Sequence, residues 1–520
     1  MKSHTLIVAL LLFLLGGDLA SPSTLIVGGG GYSSIQNAID AAVDGDEIVV
    51  APGYYTENLV MPGINIILRS EEPDNVSVVE QTVIDGGEAP FSFTGGFQSV
   101  VTFSGDEGST CVLSGFTLVY GEGEAYPTAG NPAIAFRGGS GIYGRGTLAT
   151  ISHNVITLNG EEHERPAIEQ CHGRIEGNRI ISNYGTGLID CDGEIRSNEI
   201  SFNKNGCYQC DGLMTNNIIH GNSYFGISHT YGQCNSNVIS GNKTGAISGL
   251  FSEDAIFNNL IIGNGSISGA SVIMAESALI ANNTIVFNTS GTDEPLIDVN
   301  GSTTISNNII WGNSYGDEPL FLPYVVPTYC IIENWNGGPT EVWGEGNLTT
   351  EPLFVDAENW DFRLLPGSPG IDMGKQVAGV TNDILGVLRP FDGDLQGAGG
   401  TGDGSDYDIG AYEFTTTTLA AAIRSHILGQ PTTAVLSTSP FPFPFDLDTS
   451  GSLTTTGTLQ TTTTLTTAAL DVNQDSFIDV ADILQVLGCQ FQALPAPFAD
   501  FARQYFIASP VADHRWRKKR

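Results

Sequence analysis

The chain has 520 residues, of which 65 are glycine, and 57 acidic against 20 basic residues give a formal net charge of −37. Because so acidic a surface repels phosphate groups and anionic lipids, the composition argues against nucleic acid or a membrane surface as a partner. The length exceeds that of one ordinary domain, and many glycines with only 15% charged residues favour an array of strands and turns.

Residues 1–20 have the pattern of a secretory signal peptide. An apolar run from Leu6 to Leu15 follows one lysine, and small residues lead up to Ala20. The run is too short to span a bilayer as a mature helix, although Asp18 stands where a small residue is preferred if cleavage follows Ala20. We therefore expect a protein that is secreted or held at the cell surface, with no membrane insertion after signal cleavage.

A short motif recurs eight times in the middle of the chain. Each copy has an asparagine, an isoleucine two residues later, and a second asparagine five residues after the first, and successive copies lie 19 to 25 residues apart. The first asparagines of the copies are Asn154, Asn178, Asn198, Asn217, Asn237, Asn259, Asn283 and Asn308. The period is too short for a propeller blade and lacks the helical pattern of ankyrin-type repeats.

The motif predicts strands that stack coil upon coil. An isoleucine flanked by more exposed positions suits a strand with one buried face. Asparagine tolerates the left-handed conformation of tight turns, and its amide can bond the same residue one coil above and below. Coils that pair edge to edge, about 4.8 Å apart, satisfy their backbone groups along the axis. The sequence therefore predicts an all-β fold, a right-handed parallel β-helix over residues 24–414.

Three consecutive coils carry a cysteine at the same position, seven residues before the first asparagine. These residues are Cys171, Cys191 and Cys210. We expect them to face inward as small core residues, the alternative being a disulfide between adjacent coils. Strict strand alternation cannot place both Leu188 and Cys191 inside, so a bend must separate them.

Polar residues flank this cysteine column on both sides. One row is His172, Asp192, Asp211 and Tyr231, and the other is Gln170, Asp190, Gln209 and His229. Carboxylates held about 5 Å apart shift each other's pKa values unless a cation joins them, so the rows suit a calcium ion or an acid–base pair. The candidate catalytic residues are Asp192, Asp211, His172 and His229, with Arg179, Arg196 and Lys204 as the nearest basic groups. The alternative is a polar flank that stacks without a function.

Segments near both ends resemble those of exported right-handed parallel β-helix proteins with pectate-lyase-like architecture. YSSIQNAIDAAVDGDEIVVAPGYYTENLVM, at residues 32–61, is similar to their entry segment, and EPLFVDAENWDFRLLPGSPGIDMGK and DYDIGAYEF, at residues 351–375 and 406–414, are similar to their closing segment. The resemblance covers roughly residues 24–414 and implies a short capping helix from Asn37 to Val43. Members of this group include lyases, hydrolases, epimerases and non-catalytic binders, so the resemblance implies a fold rather than an activity.

The composition changes after Phe414. Threonine runs and a Pro-Phe stretch offer little that packs a core, which predicts an extended linker over residues 415–468 whose threonines are candidates for O-glycosylation. Residues 491–520 follow as a tail that is basic at its end.

Between linker and tail, residues 469–490 have the spacing of a calcium loop. Counted from Asp471, side-chain oxygens fall at positions one, three, five, nine and twelve, and position seven offers a backbone carbonyl. The ligands are Asp471, Asn473, Asp475, Phe477, Asp479 and Asp482. Aspartate at position twelve resembles a dockerin repeat, which implies one Ca²⁺ and a cohesin-like or other cell-surface protein partner. Ser476 replaces the usual glycine, and one copy is visible where a dockerin has two.

Three classes of function stay open from the sequence. The first is a secreted protein that binds extracellular polysaccharide, with anionic polymers included among the candidates. The second is a polysaccharide lyase, favoured over a glycoside hydrolase, that uses the carboxylate and histidine rows with calcium. The third is a non-catalytic structural or adhesion solenoid of the cell surface. The aspartate trio of polygalacturonases and the arginine motif of pectate lyases are absent, and Arg165-Pro166 is no substitute for the latter.

Overall fold

The computed structural model describes residues 22–87, 99–127, 134–161, 164–251, 255–265, 269–300, 302–315, 320, 325–337, 342–365, 367–391 and 402–415. The predicted signal peptide, linker, calcium loop and tail lie outside these residues, apart from residue 415, and stay predictions. Within the described ranges, every helix is too short or too polar to cross a membrane.

The strands of this part of the chain form three long parallel sheets, here named A, B and C. Sheet A contains Thr24–Val27, Glu47–Val50, Ile67–Ser70, Val112–Ser114, Thr150–Ser152, Ile175–Glu176, Glu194–Arg196, Leu213–Thr215, Gln233–Asn235, Ala255–Phe257, Leu279–Ala281 and Thr304–Ser306. Sheet B contains Gly53–Thr56, Thr82–Asp85, Thr117–Val119, Val155–Thr157, Arg179–Ile181, Glu199–Ser201, Ile218–His220, Val238–Ser240, Leu260–Ile262, Thr284–Val286, Ile309–Trp311 and Ile331–Ile332. Sheet C contains Leu59–Val60, Val101–Thr102, Ile142–Thr147, Ile168–Cys171, Leu188–Ile189, Cys207–Tyr208, Phe225–Ser228, Gly245–Phe251, Ile273–Glu276 and Ile297–Asn300.

Each full coil passes through sheets C, A and B in that order and then returns to sheet C one coil further along. One such coil runs through Ile168–Cys171, Ile175–Glu176 and Arg179–Ile181. The register is in phase with the repeat, since Ile180 pairs with Ile156 on one side and Ile200 on the other. The predicted right-handed parallel β-helix is confirmed, with the handedness that nearly all parallel crossovers adopt.

The isoleucines of the repeat form the inner face of sheet B. All eight are buried, and the most exposed of them, Ile310, has 2% of its surface accessible. They belong to one continuous core with the inward residues of sheets A and C. Because alternate residues of a strand point to opposite faces, this column sends the residues on either side of each isoleucine outward.

The predicted asparagine ladders are also confirmed. Asn178 donates from Nδ2 to the Ile151 carbonyl (2.8 Å) and to Oδ1 of Asn198 (3.0 Å), and that Oδ1 also accepts the Asn178 backbone N–H (2.9 Å). Asn198 repeats the pattern toward Asn217. The ladder satisfies backbone groups that each corner buries, which is required because an unpaired buried group is costly.

The left-handed residue of each corner is the one before the asparagine, not the asparagine itself. Examples are His153 (φ 55°), Ser182 (φ 55°) and Ser197 (φ 54°), which precede Asn154, Asn183 and Asn198. A single left-handed residue between two strands turns the chain sharply and brings the next side chain inward. This places the asparagine amide in the core, where the ladder needs it.

The N-terminal end of the solenoid is covered by a helix over Ile35–Ala41. The expected range, Asn37 to Val43, is wrong by two residues at each end. The helix starts earlier because Ser34 caps it and the Glu57 carboxylate accepts the backbone N–H groups of Ile35 and Gln36, both at 2.9 Å. Further described elements are a helix over Val76–Gln81, an antiparallel pair, Glu124–Pro127 with Ile134–Arg137, and a second pair, Phe354–Asp356 with Asp361–Leu364, joined by a 3₁₀ turn over Ala357–Asn359.

The closing segment packs along the side of the solenoid. Phe362, Ile384 and Ala411 contact Leu260 and Ile262 on the outer face of sheet B. The Ala411 N–H donates to Thr284 (3.0 Å), and Asn282 donates to the Asp408 carbonyl (3.1 Å). In the last coils this segment therefore covers sheet B.

A buried polar network holds the closing segment together. Arg389 forms an ion pair with Glu413, both side chains being fully buried, and donates to the carbonyls of Asp408 (3.1 Å) and Gly410 (2.8 Å). The Asp383 carboxylate accepts the N–H groups of Leu385, Val387 and Glu413. Burial raises the pKa of Glu413 to about 7, although Arg389 opposes the shift.

Candidate functional site

The cysteine column lies at the corner between sheets C and A. Cys171, Cys191 and Cys210 are fully buried, and they are unpaired like all seven cysteines of the described residues. Their inward position confirms the interpretation as core residues. Burial raises the pKa values of the Cys171 and Cys191 thiols well above the usual range for cysteine. The reactive thiolate form is therefore suppressed.

The predicted bend between Leu188 and Cys191 is present. Asp190, which separates the sheet C strand from Cys191, has φ 53°. Gln170, Gln209 and His229 occupy the same place in their coils, with φ between 50° and 56°. The left-handed residue shifts the alternation, so Leu188 and Cys191 both face the core.

The row on the other side of the cysteines is an outer hydrogen-bonded column. The Asp192 carboxylate accepts the backbone N–H of Asp211 (3.1 Å), and the Asp211 carboxylate accepts that of Tyr231 (2.8 Å). The backbone N–H of Asp192 in turn donates to Nδ1 of His172 (3.3 Å). Each carboxylate uses Oδ1 in this way, so the column has a structural role.

Three side chains of the two rows converge on one point. One ligand atom from each of His172, Asp190 and Asp192 lies within 4.8 Å of the other two, and Nδ1 of His172 is 3.4 Å from Oδ2 of Asp192. Gln170 donates from Nε2 to Oδ2 of Asp190 at 3.0 Å. His229 is two coils from Asp190, about 10 Å along the axis, where its ring contacts Tyr208.

The structure does not bring the predicted basic residues to this point. Arg179 projects from sheet B and pairs with Glu199 at 3.0 Å, while Arg196 projects from sheet A and pairs with Glu176. Lys204 forms an ion pair with Glu164. Because a coil turns two corners within about a dozen residues, groups that are close in sequence face different sides of the solenoid.

Sequence reasoning missed the outer face of sheet C beside these rows. Its central column, in strand register, is Tyr143, Glu169, Ile189, Tyr208 and Ser228. The available signal was their position directly after the inward residues of the same strands, such as Ile168 and Leu188.

Glu169 is a half-buried acid of this face. Burial raises its pKa, the nearby Arg165 guanidinium opposes the shift, and Asp190 adds to it. Nε of Arg165 is buried and has no hydrogen-bond partner among the described residues. Arg165, which the sequence comparison did not match to a catalytic motif, is thus close enough to Glu169 to act on its charge.

Comparisons with known proteins find only weak similarities in sequence and structure. Neither a protein-family model nor a curated protein matches the chain. The crystal structure of the pectate lyase Pel9A is 14% identical over 76% of this chain and 98% of its own, with a TM-score of 0.38. The complex of XylC with xylose is 11% identical over 74% and 96%, with a TM-score of 0.45. An alginate lyase from Paenibacillus sp. str. FPU-7 is 13% identical over 58% and 99%, with a TM-score of 0.29. The fold is established by the strand register of this chain itself.

Proposed function

We propose that this protein binds an extracellular polysaccharide along the outer face of sheet C and the adjoining corner. The observation that carries the proposal is the column in which Tyr143 neighbours Glu169 and Tyr208 follows two coils on, after Ile189. This column lies next to the polar row that includes Gln170 and Asp190. Ring faces with a few fixed polar groups are the composition of small-molecule and sugar sites. The strands hold these groups about 4.8 Å apart per coil, so little side-chain order is lost on binding.

The other two faces are engaged differently. The closing segment packs on the last coils of sheet B, and the outer side chains of sheet A form ion pairs such as Arg174 with Glu194 at 2.9 Å. On sheet B, burial acts to raise the pKa of Glu199, but hydrogen bonding by His220 and the Arg179 guanidinium lower it to about 2. Those carboxylates are committed to their partners, which favours sheet C for a ligand.

The charges of the site bear on the polysaccharide class. Glu169, Asp190 and Asp192 accept hydrogen bonds from sugar hydroxyls, which suits a neutral chain. An anionic chain requires Arg165 or a bound cation to balance these carboxylates. The ligand panel therefore contains xylan as a neutral polymer and polygalacturonate and alginate as uronates, each with and without calcium.

Affinity gel electrophoresis of the full chain tests the proposal. We expect retardation by at least one polymer, and Tyr208→Ala weakens it by about fivefold or more because the ring platform is lost. Tyr54→Ala is the matched control, since Tyr54 is exposed on sheet B near the N-terminus. The proposal is overturned if no polymer retards the protein, or if Tyr208→Ala and Tyr54→Ala behave alike.

The pair Glu169 and Arg165 favours a polysaccharide lyase as the second candidate function. Arg165 would pair with a uronate carboxylate and stabilise the charge that develops when the C5 proton leaves. Glu169, whose pKa is raised by burial, is a stronger base than an ordinary carboxylate and takes that proton. The C4–O bond then breaks and a C4–C5 double bond forms, while the departing oxygen keeps the bonding electrons and takes a proton from solvent water.

Ultraviolet absorbance of that double bond tests the lyase candidate. Under it, wild type produces the signal from a uronate polymer, and Glu169→Gln loses it while retaining affinity on gels. Binding without any signal leaves a non-catalytic binder. Replacing Asp192 and Asp211 by asparagine tests the catalytic role predicted for the outer column, since unchanged turnover would exclude it.

The C-terminal predictions are proposals that rest on sequence spacing. The loop from Asp471 to Asp482 would hold one Ca²⁺ and present the following helix to a cohesin-like partner at the cell surface. Calcium titration of the full chain should lose one site in the double variant Asp471→Ala/Asp475→Ala. Unchanged stoichiometry would exclude the loop.

A further inference from the structure

The convergence of His172, Asp190 and Asp192 has the geometry of a metal site. Nδ1 of His172 and Oδ2 of Asp192 are 3.4 Å apart. Two ligands of a tetrahedral ion with bonds of about 2.1 Å stand about 3.4 Å from each other. The third ligand atom, from Asp190, lies within 4.8 Å of both.

The contacts around His172 also point to a cation. Nδ1 is 3.3 Å from the Asp192 nitrogen and 3.4 Å from Oδ2 of the same residue, both longer than the usual hydrogen bond of about 2.9 Å. Nδ1 has one lone pair, so it can accept this N–H or bind an ion but not both, and ion binding would replace this long hydrogen bond. Nδ1 also lies beside the acceptor Oδ2 of Asp192. Two acceptors that face each other are unfavourable unless a proton or a metal ion lies between them.

Neighbouring groups hold each carboxylate in position for an ion. Gln170 fixes Oδ2 of Asp190, and the Asp211 N–H fixes Oδ1 of Asp192. One oxygen of each aspartate is thus oriented from outside, and the other is left for a ligand bond. Metal sites commonly use such outer hydrogen bonds to orient their ligands.

We infer that His172, Asp190 and Asp192 form a binding site for a divalent transition ion of the zinc and manganese class. An imidazole nitrogen with two carboxylates suits these ions, whereas Ca²⁺ prefers six to eight oxygen ligands. This donor set therefore favours a different ion from calcium, which was one of the alternatives that the sequence left open for these rows. Three protein ligands leave at least one position for water or a sugar hydroxyl.

The neighbouring coils lack this combination. One coil further on, Gln209 and Asp211 take the places of Asp190 and Asp192. One coil back, the same places hold Gln170 and His172, the second of which is the histidine of this site. Within the described ranges, this is the one group of three histidine, cysteine or acidic side chains whose ligand atoms come this close together. The site is therefore a local departure from the repeat.

Isothermal titration of the full chain with Zn²⁺, in excess Ca²⁺ to occupy calcium sites, tests the inference without any polysaccharide. We expect a zinc event in wild type that His172→Gln and Asp190→Asn each weaken by at least tenfold. Gln170→Ala should weaken it by about tenfold, because an orienting group is lost. His153→Gln and Glu194→Gln, which change a surface histidine and a surface acid elsewhere, should leave it unchanged.

Co²⁺ provides a second readout. Its visible absorption should appear in wild type and in His153→Gln and be absent in His172→Gln, with all variants matched by circular dichroism and thermal midpoint. Zinc binding that survives both His172→Gln and Asp190→Asn overturns the inference, and so does displacement of zinc by calcium. Because no sugar is present, failure here is distinguishable from failure of polysaccharide binding, which Tyr208→Ala tests.

Discussion

Two corners of the same coils use side-chain ladders in opposite ways. At the corner between sheets A and B, an asparagine such as Asn198 or Asn217 recurs without exception through eight coils and is buried. At the corner between sheets C and A, the outer column changes from His172 to Asp192, Asp211 and Tyr231. Both corners turn through a left-handed residue, so the backbone alone does not explain the difference.

The difference follows from what each side chain must satisfy. Inside, the amide of Asn217 donates to a carbonyl and to the next amide and also accepts an N–H, so it must be donor and acceptor at once. Outside, a side chain accepts one N–H and water supplies the rest, which imidazole and carboxylate do equally well. The outer corner is therefore free to vary, and chemistry particular to this chain is found there.

The buried half of this comparison includes the closing segment, where we expect the largest effect. At pH 8, where Glu413 is ionised, Arg389→Met leaves this carboxylate buried without its partner and should lower the free energy of unfolding by about 3–5 kcal/mol. Urea denaturation with hydrogen exchange of residues 402–415 measures it. Arg363→Met removes a partly exposed pair with Asp361 and serves as the control, expected below about 1 kcal/mol. Equal losses would contradict the role given to burial.

Asn217→Ala breaks the inner ladder in the middle of the solenoid. It leaves the Ile195 carbonyl and the Asn198 N–H unpaired in the core, which should cost about 2–4 kcal/mol. The unfolding midpoint in urea is the measurement. A loss below about 0.5 kcal/mol would show that the ladder is not required for stability.

Stability should fall as pH rises through neutrality, because Glu413 binds a proton more tightly in the folded chain. Its pKa is about 7 when folded, against an ordinary 4.5, so its contribution is full below about 4.5 and lost as pH rises through about 7. We expect the thermal midpoint to drop by a few degrees between pH 5 and pH 8. Glu413→Gln should show a smaller drop, and an identical profile would exclude this group as the cause.

The smallest effect is expected at the outer corner. Asp211→Ala removes the acceptor of the Tyr231 N–H, but water reaches this exposed site, so the loss should be about 0.5 kcal/mol or less. The losses in the free energy of unfolding of Asp211→Ala and Asn217→Ala, measured in the same urea titration, give the difference in stability between the two corners. A loss as large as that of Asn217→Ala would mean that the outer column also contributes strongly to the stability of the fold.

Much of the fold could be predicted from the repeat. The spacing of Asn178 and Ile180 places the isoleucine inward and the amide at a corner, and the structure confirms both. The rows through His172 and Asp192 were also predictable, because a regular repeat puts equivalent residues side by side. Less predictable was that their oxygens already accept N–H groups from the next coil, since hydrogen bonding at a corner depends on its exact turn.

Other parts of the site required the folded chain. Arg179 and Arg196 lie near the aspartates in sequence, yet each projects from a different sheet and is paired there. The relation of Glu169 to Arg165 and Asp190 depends on which residues the corners send outward. The contact of Ala411 with Thr284 joins positions more than a hundred residues apart, and no periodicity in the sequence encodes it.

By itself, the sequence determined the coil length, the strand register and the identity of the core columns, because these follow from local alternation and from turns that recur in every coil. The tertiary structure decided which outward side chains meet, which ion pairs form and which face the closing segment covers. The physical reason is that one left-handed residue, such as Asp190, changes the direction of every following side chain. Neighbours across coils are therefore set by the geometry of the corners, and the three-ligand site at His172 exists only once those corners are folded.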